Sequence, residues 1–123
     1  MTLHSTISKW DARFLKLAEH VSTWSKDPST KVGAVIVDAD KRVISLGYNG
    51  FPAGVPHISI MKDTHEQNTI HAEQNAICDC AKRGVSMNNS IAYITHYPCI
   101  ICARLLIASG VKIIKRSEEH TSE

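Results

Sequence analysis

Residues 70–115 read IHAEQNAICDCAKRGVSMNNSIAYITHYPCIICARLLIASGVKIIK, and this stretch decides the fold. Its hydrophobic periodicity predicts four elements in alternation: a helix over 70–82, a strand over 91–95, a helix over 99–109 and a strand over 111–115. A glycine follows each helix and indicates where it ends. Such alternation favours an α/β layer fold in which the later strands run parallel and are joined by right-handed crossovers.

The residues before this stretch predict the remaining elements of the same domain. They are a helix over 7–21 capped by Ser5 or Thr6, strands over 32–37 and 42–48 joined by a hairpin turn at 38–41, an irregular loop over 49–56 and an exposed polar segment over 62–68. The order is therefore helix, two strands, helix, strand, helix, strand, without an internal repeat.

Length and composition limit the classes of protein to which the chain can belong. Its 123 residues are 43% hydrophobic and 21% charged, which is typical of one globular domain. The formal net charge of +2 is too small to indicate a nucleic-acid surface. No apolar run approaches the roughly 20 residues that span a bilayer, and the N-terminus lacks the apolar region of a signal peptide. We therefore expect a cytoplasmic protein with no nucleic-acid or membrane partner and with reduced cysteines.

Two short motifs carry the chemistry, one at the start of each helix of the 70–115 stretch. His71, Cys99 and Cys102 offer one imidazole and two thiolates, a ligand set that binds Zn²⁺ and leaves a fourth position open for water. Glu73 follows His71 by two residues, so its carboxylate can move a proton to or from that water. The pattern H-x-E followed by P-C-x-x-C is the signature of zinc-dependent deaminases. The sequence therefore predicts a zinc centre with Glu73 as the catalytic residue.

Two other interpretations of these residues stay open. A lone C-x-x-C pair also occurs in redox proteins and in structural zinc sites, which need a fourth protein ligand. Candidates for that ligand are Cys78, Cys80, His65 and His96. Cysteines late in a helix are more often small buried or boundary residues. A non-catalytic zinc-binding or nucleotide-binding module is the second interpretation, and Glu73 argues against it because a structural site does not use such a carboxylate.

Four ordered segments resemble the deoxycytidylate deaminases, within the wider cytidine deaminase superfamily. They are WSKDPSTKVGA at 24–34, GYNGFPAG at 47–54, HAEQNAI at 71–77 and PCIIC at 98–102. The resemblance covers residues 10–115 and implies a three-layer α/β/α fold with a mixed central sheet. It also implies hydrolysis of dCMP to dUMP and ammonia, a step that supplies the precursor of dTTP, with Zn²⁺ as the cofactor.

The same resemblance implies contacts for the nucleotide. Asn49 would contact the sugar, because an amide both donates and accepts, and Ser25 and Lys26 would contact the phosphate. The alternatives are a simple turn at Asn49 and a solvated loop at Ser25 and Lys26. Many family members are hexamers that dCTP activates and dTTP inhibits, so we expect a homo-oligomer. The glycine-rich loop is associated with that regulation, which makes effector binding an alternative role for Gly47, Tyr48, Asn49, Gly50 and Gly54.

Other substrates within the same chemistry are a free nucleoside, a free base, guanine and adenosine in transfer RNA. Free-cytidine enzymes typically have cysteine where His71 stands, which counts against the first of these. A transfer-RNA enzyme would favour a more basic surface than a net charge of +2 provides.

The expected domain covers 1–115, and residues 116–123 are expected to be a polar tail. The tail reads RSEEHTSE, contains no apolar side chain and matches one reading frame of a common sequencing adapter. Deoxycytidylate deaminases usually continue for a further strand and helix after the position of residues 111–115. We therefore expect the tail to be non-native and the last strand and helix of the domain to be missing.

Overall fold

The computed structural model describes residues 8–52, 54, 61–62, 65–66 and 69–117, the pairs 61–62 and 65–66 by their backbone alone. Within that part of the chain the elements follow one another in this order: α1 (Lys9–Ser22), β1 (Gly33–Val37), β2 (Val43–Tyr48), β3 (Met61–Lys62), β4 (His65–Glu66), α2 (Ala72–Arg83), β5 (Ser90–Ile94), α3 (Ile100–Ala108) and β6 (Val111–Arg116). None of the helices in the described residues has both the length and the apolar character that crossing a membrane requires.

Four strands form a mixed central sheet in the order β2-β1-β5-β6. β1 runs antiparallel to both of its neighbours, β2 and β5, whereas β5 and β6 are parallel and pair Ile91 with Ile113. The hairpin turn between β1 and β2 lies where the sequence predicts it. There Asp38 Oδ1 accepts the backbone N–H groups of Asp40 and Arg42, and Lys41 adopts a positive φ of 63°. The predicted parallel arrangement of the later strands is confirmed.

The two faces of β1 show why the domain has three layers. All five residues of the strand are buried, and successive side chains point to opposite faces. Ala34 and Ile36 pack with α2 and α3, whereas Val35 and Val37 pack with α1. One helix therefore covers one face and two helices cover the other, which confirms the α/β/α fold.

The start of α1 and the segment after residue 60 differ from the sequence predictions. Ser8 caps α1 through a reciprocal pair with Asp11, in which each side chain accepts the backbone N–H of the other residue. The predicted caps, Ser5 and Thr6, lie outside the described residues, and the observed capping pair starts the helix two residues later than predicted. Within 62–68, predicted as an exposed polar segment, β4 pairs antiparallel with β3.

The predicted loop and tail are only partly described. Of the loop 49–56, residues 49–52 and 54 belong to the described part. Arg116 extends β6 by one residue, and the Ser117 N–H donates to the carbonyl of Ile94 at 3.1 Å. Residues 118–123 lie outside the described part, and the non-native origin of 116–123 stays a prediction.

A buried polar cluster connects α1 to the strands beneath it. Tyr93 Oη donates to Asp11 Oδ1 at 2.6 Å, and Lys115 Nζ donates to Asp11 Oδ2 at 2.6 Å. Burial acts to raise the pKa of Asp11, but the bonds from Lys115 and Tyr93 outweigh it and lower that pKa below its usual range. The ionised carboxylate of Asp11 is thus held between β5 and β6.

Candidate active site

His71 occupies the N-cap position of α2. Its backbone is extended, with φ −75° and ψ 157°, and its N–H donates to Gln74 Oε1 at 2.9 Å. Capping by Gln74 satisfies one of the backbone groups that a helix start leaves unpaired. The helix begins at Ala72, directly after the histidine, so the imidazole projects from a fixed point at the edge of the sheet.

Cys99 has the same place at the start of α3 that His71 has at the start of α2. It is the N-cap residue, and its Sγ accepts the backbone N–H of Cys102 at 3.4 Å. A spacing of three residues at a helix start places both sulfurs on the same side of the first turn. Cys99 is exposed and Cys102 is buried, so the pair reaches from the surface into the interior.

The two helix starts bring His71, Cys99 and Cys102 together. His71 Nδ1 lies 3.2 Å from Cys102 Sγ and 3.7 Å from Cys99 Sγ. In tetrahedral zinc sites, with Zn–N near 2.1 Å and Zn–S near 2.3 Å, the nitrogen and sulfur ligands are about 3.6 Å apart. The observed distances agree with that separation, and within the described part of the chain these residues form a group able to hold a metal ion. The imidazole and two thiols of the predicted ligand set are thus placed where they could hold one zinc ion.

The candidates for a fourth protein ligand lie elsewhere as far as the structure describes them. Cys80 is buried against the Ile44 carbonyl and Cys78 is exposed. His96 Nδ1 lies 2.8 Å from the hydroxyl of Thr95. The side chain of His65 lies outside the described residues. Among the described side chains, the group that could hold a metal ion contains these three residues and no fourth.

Glu73 lies in the first turn of α2 and is only 4% exposed. Its carboxyl group interacts with the thiol of Cys102, and burial raises the pKa of Glu73 even though His71 and a backbone N–H act against that shift. Burial and the charge of Glu73 likewise raise the pKa of the Cys102 thiol. A bound cation would reverse both effects, because it favours the ionised form of each group.

Asn49 and Ser25 hold two loops together. Asn49 Oδ1 accepts the N–H of Val32 at 2.8 Å, and its Nδ2 donates to the carbonyl of Thr30 at 2.9 Å. The buried Ser25 hydroxyl donates to the Asn49 carbonyl at 2.8 Å and accepts the N–H of Asp27 at 3.2 Å. Neither polar group is simply solvated, so the alternative of a solvated loop does not describe Ser25.

The segment SKDPSTK contains two lysines, Lys26 and Lys31. Lys26, the predicted phosphate contact, is exposed. Lys31 was not singled out from the sequence, yet its Nζ donates to the carbonyls of Ser25 and Asp27 at 2.7 and 3.1 Å. Its position in the segment SKDPSTK gives no sign of these bonds, because their acceptors are backbone atoms. Both lysines are exposed, but the ammonium group of Lys31 is bonded to these two backbone carbonyls.

The glycine-rich loop lies directly against the start of α2. A Cβ at Gly47 would lie 2.2 Å from the Ala72 carbonyl oxygen, so only glycine permits this close approach of strand and helix. Tyr48 is 40% exposed and contacts Trp24 edge-to-face at 6.0 Å. Gly50 pairs with the residue before His71, and Gly54 adopts φ +83°. The sequence missed the packing role of Gly47, for which the only signal was its place in a β-branched strand.

Residues 8–116 match the family model of the cytidine and deoxycytidylate deaminase zinc-binding region. The chain is 44% identical over 118 residues to an uncharacterized deaminase of Aliivibrio fischeri, a match that covers 92% of this chain and 76% of the relative. It is 45% identical over 106 residues to a probable deoxycytidylate deaminase of Caenorhabditis elegans, a match that covers 81% of this chain and 53% of the relative. The chain thus spans between about half and three quarters of the length of these curated relatives.

A solved structure shows the same architecture. The dCMP deaminase of the cyanophage S-TIM5, crystallised with dCMP and dUMP, matches with a TM-score of 0.80 and 30% sequence identity. That match covers 92% of this chain and 83% of the phage chain. Both halves of the metal-binding motif lie within the region that the family model covers. The chain therefore belongs to the cytidine and deoxycytidylate deaminase family.

Proposed function

We propose that the protein hydrolyses dCMP to dUMP and ammonia. The observation that carries this proposal is a buried carboxyl group, Glu73, beside the three ligands His71, Cys99 and Cys102. Further support comes from the relatives, since the C. elegans protein is a probable deoxycytidylate deaminase and the phage enzyme was crystallised with dCMP and dUMP. The reaction is part of the supply of pyrimidine deoxynucleotides.

Different residues of the chain would hold the metal and move the protons. His71, Cys99 and Cys102 would hold Zn²⁺, whose Lewis acidity makes a water molecule nucleophilic at neutral pH. Glu73 accepts a proton from the water that adds to C4 of the base and delivers it to N3. It then takes the proton of the new C4 hydroxyl and delivers it to the amine, which leaves as ammonia while the C4 carbonyl forms. Its burial keeps bulk water away from the proton that it carries between these steps.

The nucleotide contacts and effectors form the finer part of the proposal. Asn49 keeps one amide hydrogen beyond the bond to Thr30, and that hydrogen is available for the sugar. Lys26 supplies an exposed charge for the phosphate, while Ser25 would act there by its hydroxyl or by holding the loop. Regulation by dCTP and dTTP would use the loop from Gly47 to Gly54.

We also propose a homo-oligomer that forms through α3. Only Cys102 and Leu106 of this helix are buried, although its sequence is almost entirely apolar. Its exposed apolar side chains, with their exposed fractions, are Ile100 (65%), Ile101 (58%), Leu105 (41%) and Ile107 (64%). Large exposed apolar surfaces are uncommon on monomers and are typical of protein interfaces.

The test is ammonia release from dCMP by the zinc-loaded protein, with cytidine as the competing substrate and with dCTP present or absent. Replacing Glu73 with glutamine should keep the metal and lower turnover at least about 10²–10⁴-fold, since the proton carrier is lost. Asp79→Asn is the matched control, because that carboxylate lies on the same helix but pairs with Arg83.

Each possible outcome identifies one of the alternatives. Ammonia release from dCMP that depends on Glu73 supports the proposal. Ammonia release from cytidine alone would identify cytidine, and not dCMP, as the substrate. Binding of zinc and dCMP without any ammonia, with or without dCTP, would indicate a non-catalytic binding module. Unchanged turnover in the Glu73→Gln variant would refute the mechanism.

A further inference from the structure

The end of β2 is bonded to the start of α2 on both sides of His71. Gly50 and Ile70 exchange two backbone hydrogen bonds, of 3.1 and 2.8 Å, immediately before the histidine. One turn after it, Asn75 Nδ2 donates to the carbonyl of Tyr48 at 2.7 Å. The histidine therefore lies between two points at which the helix start is fixed to the sheet.

Asn75 differs from the other links because it bonds both to the strand and to the histidine itself. Its backbone N–H donates to the His71 carbonyl at 2.9 Å, while its side chain bonds to Tyr48. The half-buried amide thus joins the last residue of β2 to the residue that carries the imidazole. Any shift of Asn75 relative to the strand would be transmitted to His71 through a single hydrogen bond.

The metal centre is sensitive to such a shift because its ligands come from different helices. Cys99 and Cys102 are fixed by α3, whereas the imidazole is fixed by α2. The distances of 3.2 and 3.7 Å from Nδ1 to the two sulfurs therefore depend on how the first turn of α2 is set against the sheet. Groups that orient metal ligands in this way typically change metal affinity about 10–100-fold when they are removed.

The C-terminal end of α2 is also bonded to β2, but this bond lies far from His71. The guanidinium of Arg83 donates to the carbonyl of Ile44 in β2 and to Asp79 on its own helix. Arg83 lies eight residues after Asn75, which corresponds to roughly 12 Å along a helix. Loss of this bond should loosen the helix against the strand but leave the histidine where it is.

We propose that Asn75 is a positioning residue of the metal centre, which sets the imidazole of His71 against the two cysteine sulfurs by bonding the first turn of α2 to Tyr48. The inference rests on the zinc centre of the proposed function and is independent of the substrate. Its readout is therefore metal binding and not turnover.

The test compares Asn75→Ala with Arg83→Ala. We expect Asn75→Ala to weaken Zn²⁺ binding about 10–100-fold in competition with a chromophoric chelator, and to alter the visible absorption of the Co²⁺-substituted protein. Arg83→Ala should lower the melting temperature and leave both metal readouts at their wild-type values. Asn75→Gln, which retains an amide donor, should recover part of the affinity.

Two results would overturn the inference. One is a zinc affinity of Asn75→Ala within twofold of the wild type. The other is an equal loss of affinity in both alanine variants, which would indicate general loosening of α2. Should Asn75→Ala fail to fold, Asn75→Leu fills the same volume without donating and carries the same expectations. Weakened zinc binding in that series, together with a wild-type protein that does not act on dCMP, would uphold the inference and refute the proposed substrate.

Discussion

Replacing Gly47 with alanine tests whether the close approach of β2 and α2 sets the metal centre. The added Cβ would lie 2.2 Å from the Ala72 carbonyl oxygen and 2.7 Å from the Ala76 nitrogen, and both are backbone atoms that no rotamer change can move. Real Cβ atoms stay beyond 3.0 Å, so the helix must withdraw by at least about 0.8 Å. Overpacking of this kind costs about 1–3 kcal/mol, which corresponds to a fall in melting temperature of roughly 4–15 °C for a domain of this size.

The withdrawal should also reach the site, because Ala72 directly follows His71. A misplacement near 1 Å can cost about 10²-fold in rate, and we expect zinc content after dialysis to fall as well. The matched control is Gly50→Ala in the same loop, where a Cβ meets no atom of the described residues within 4 Å and φ is not positive. That control should keep the wild-type melting temperature and zinc content. A Gly47→Ala protein whose melting temperature lies within roughly 1 °C of the wild-type value would refute the packing argument.

Two further predictions concern stability and assembly. Asp11→Asn should lower the unfolding free energy in urea at pH 7 by about 1–3 kcal/mol, because Lys115 and Tyr93 lose an ionised acceptor. Since the folded pKa of Asp11 lies below its unfolded value, that contribution is present above the unfolded pKa of 3.8 and disappears as the pH falls through the folded pKa. A deficit that stays constant down to the lowest pH would contradict this. For assembly, Ile101→Glu with Ile107→Glu should shift sedimentation to a smaller species, and an unchanged profile would argue against an interface on α3.

Most of the fold follows from local patterns of the sequence. The β-branched runs and the helical spacing predict α1 to α3 and the four strands of the central sheet, with ends that differ by one or two residues. The pair β3 and β4 was missed, because two-residue strands in the polar stretch MKDTHE have no alternation to detect. The cap at Ser8 was missed although Ser8 and Asp11 have the spacing of a capping box.

The candidate site divides into a part that the sequence predicts and a part that only the fold reveals. His71, Cys99 and Cys102 come from motifs whose spacing is local, so helix starts alone place their side chains. The roles of Asn75 and Gly47 depend on backbone atoms of another element, and no residue pattern specifies such partners. Contacts of Ser25, Lys26 and Asn49 with a nucleotide stay predictions.

The proposed metal centre would also act as a cross-link in the chain. Its ligands Cys99 and His71 are 28 residues apart, and closing a loop of that length costs the unfolded chain about 3.5 kcal/mol of conformational entropy, as it would for a disulfide of the same span. A protein that holds the proposed Zn²⁺ would thus be protected against unfolding by the residues that bind the metal. During zinc shortage we expect the chain to unfold more often and to be degraded faster, so that its abundance would follow the zinc supply.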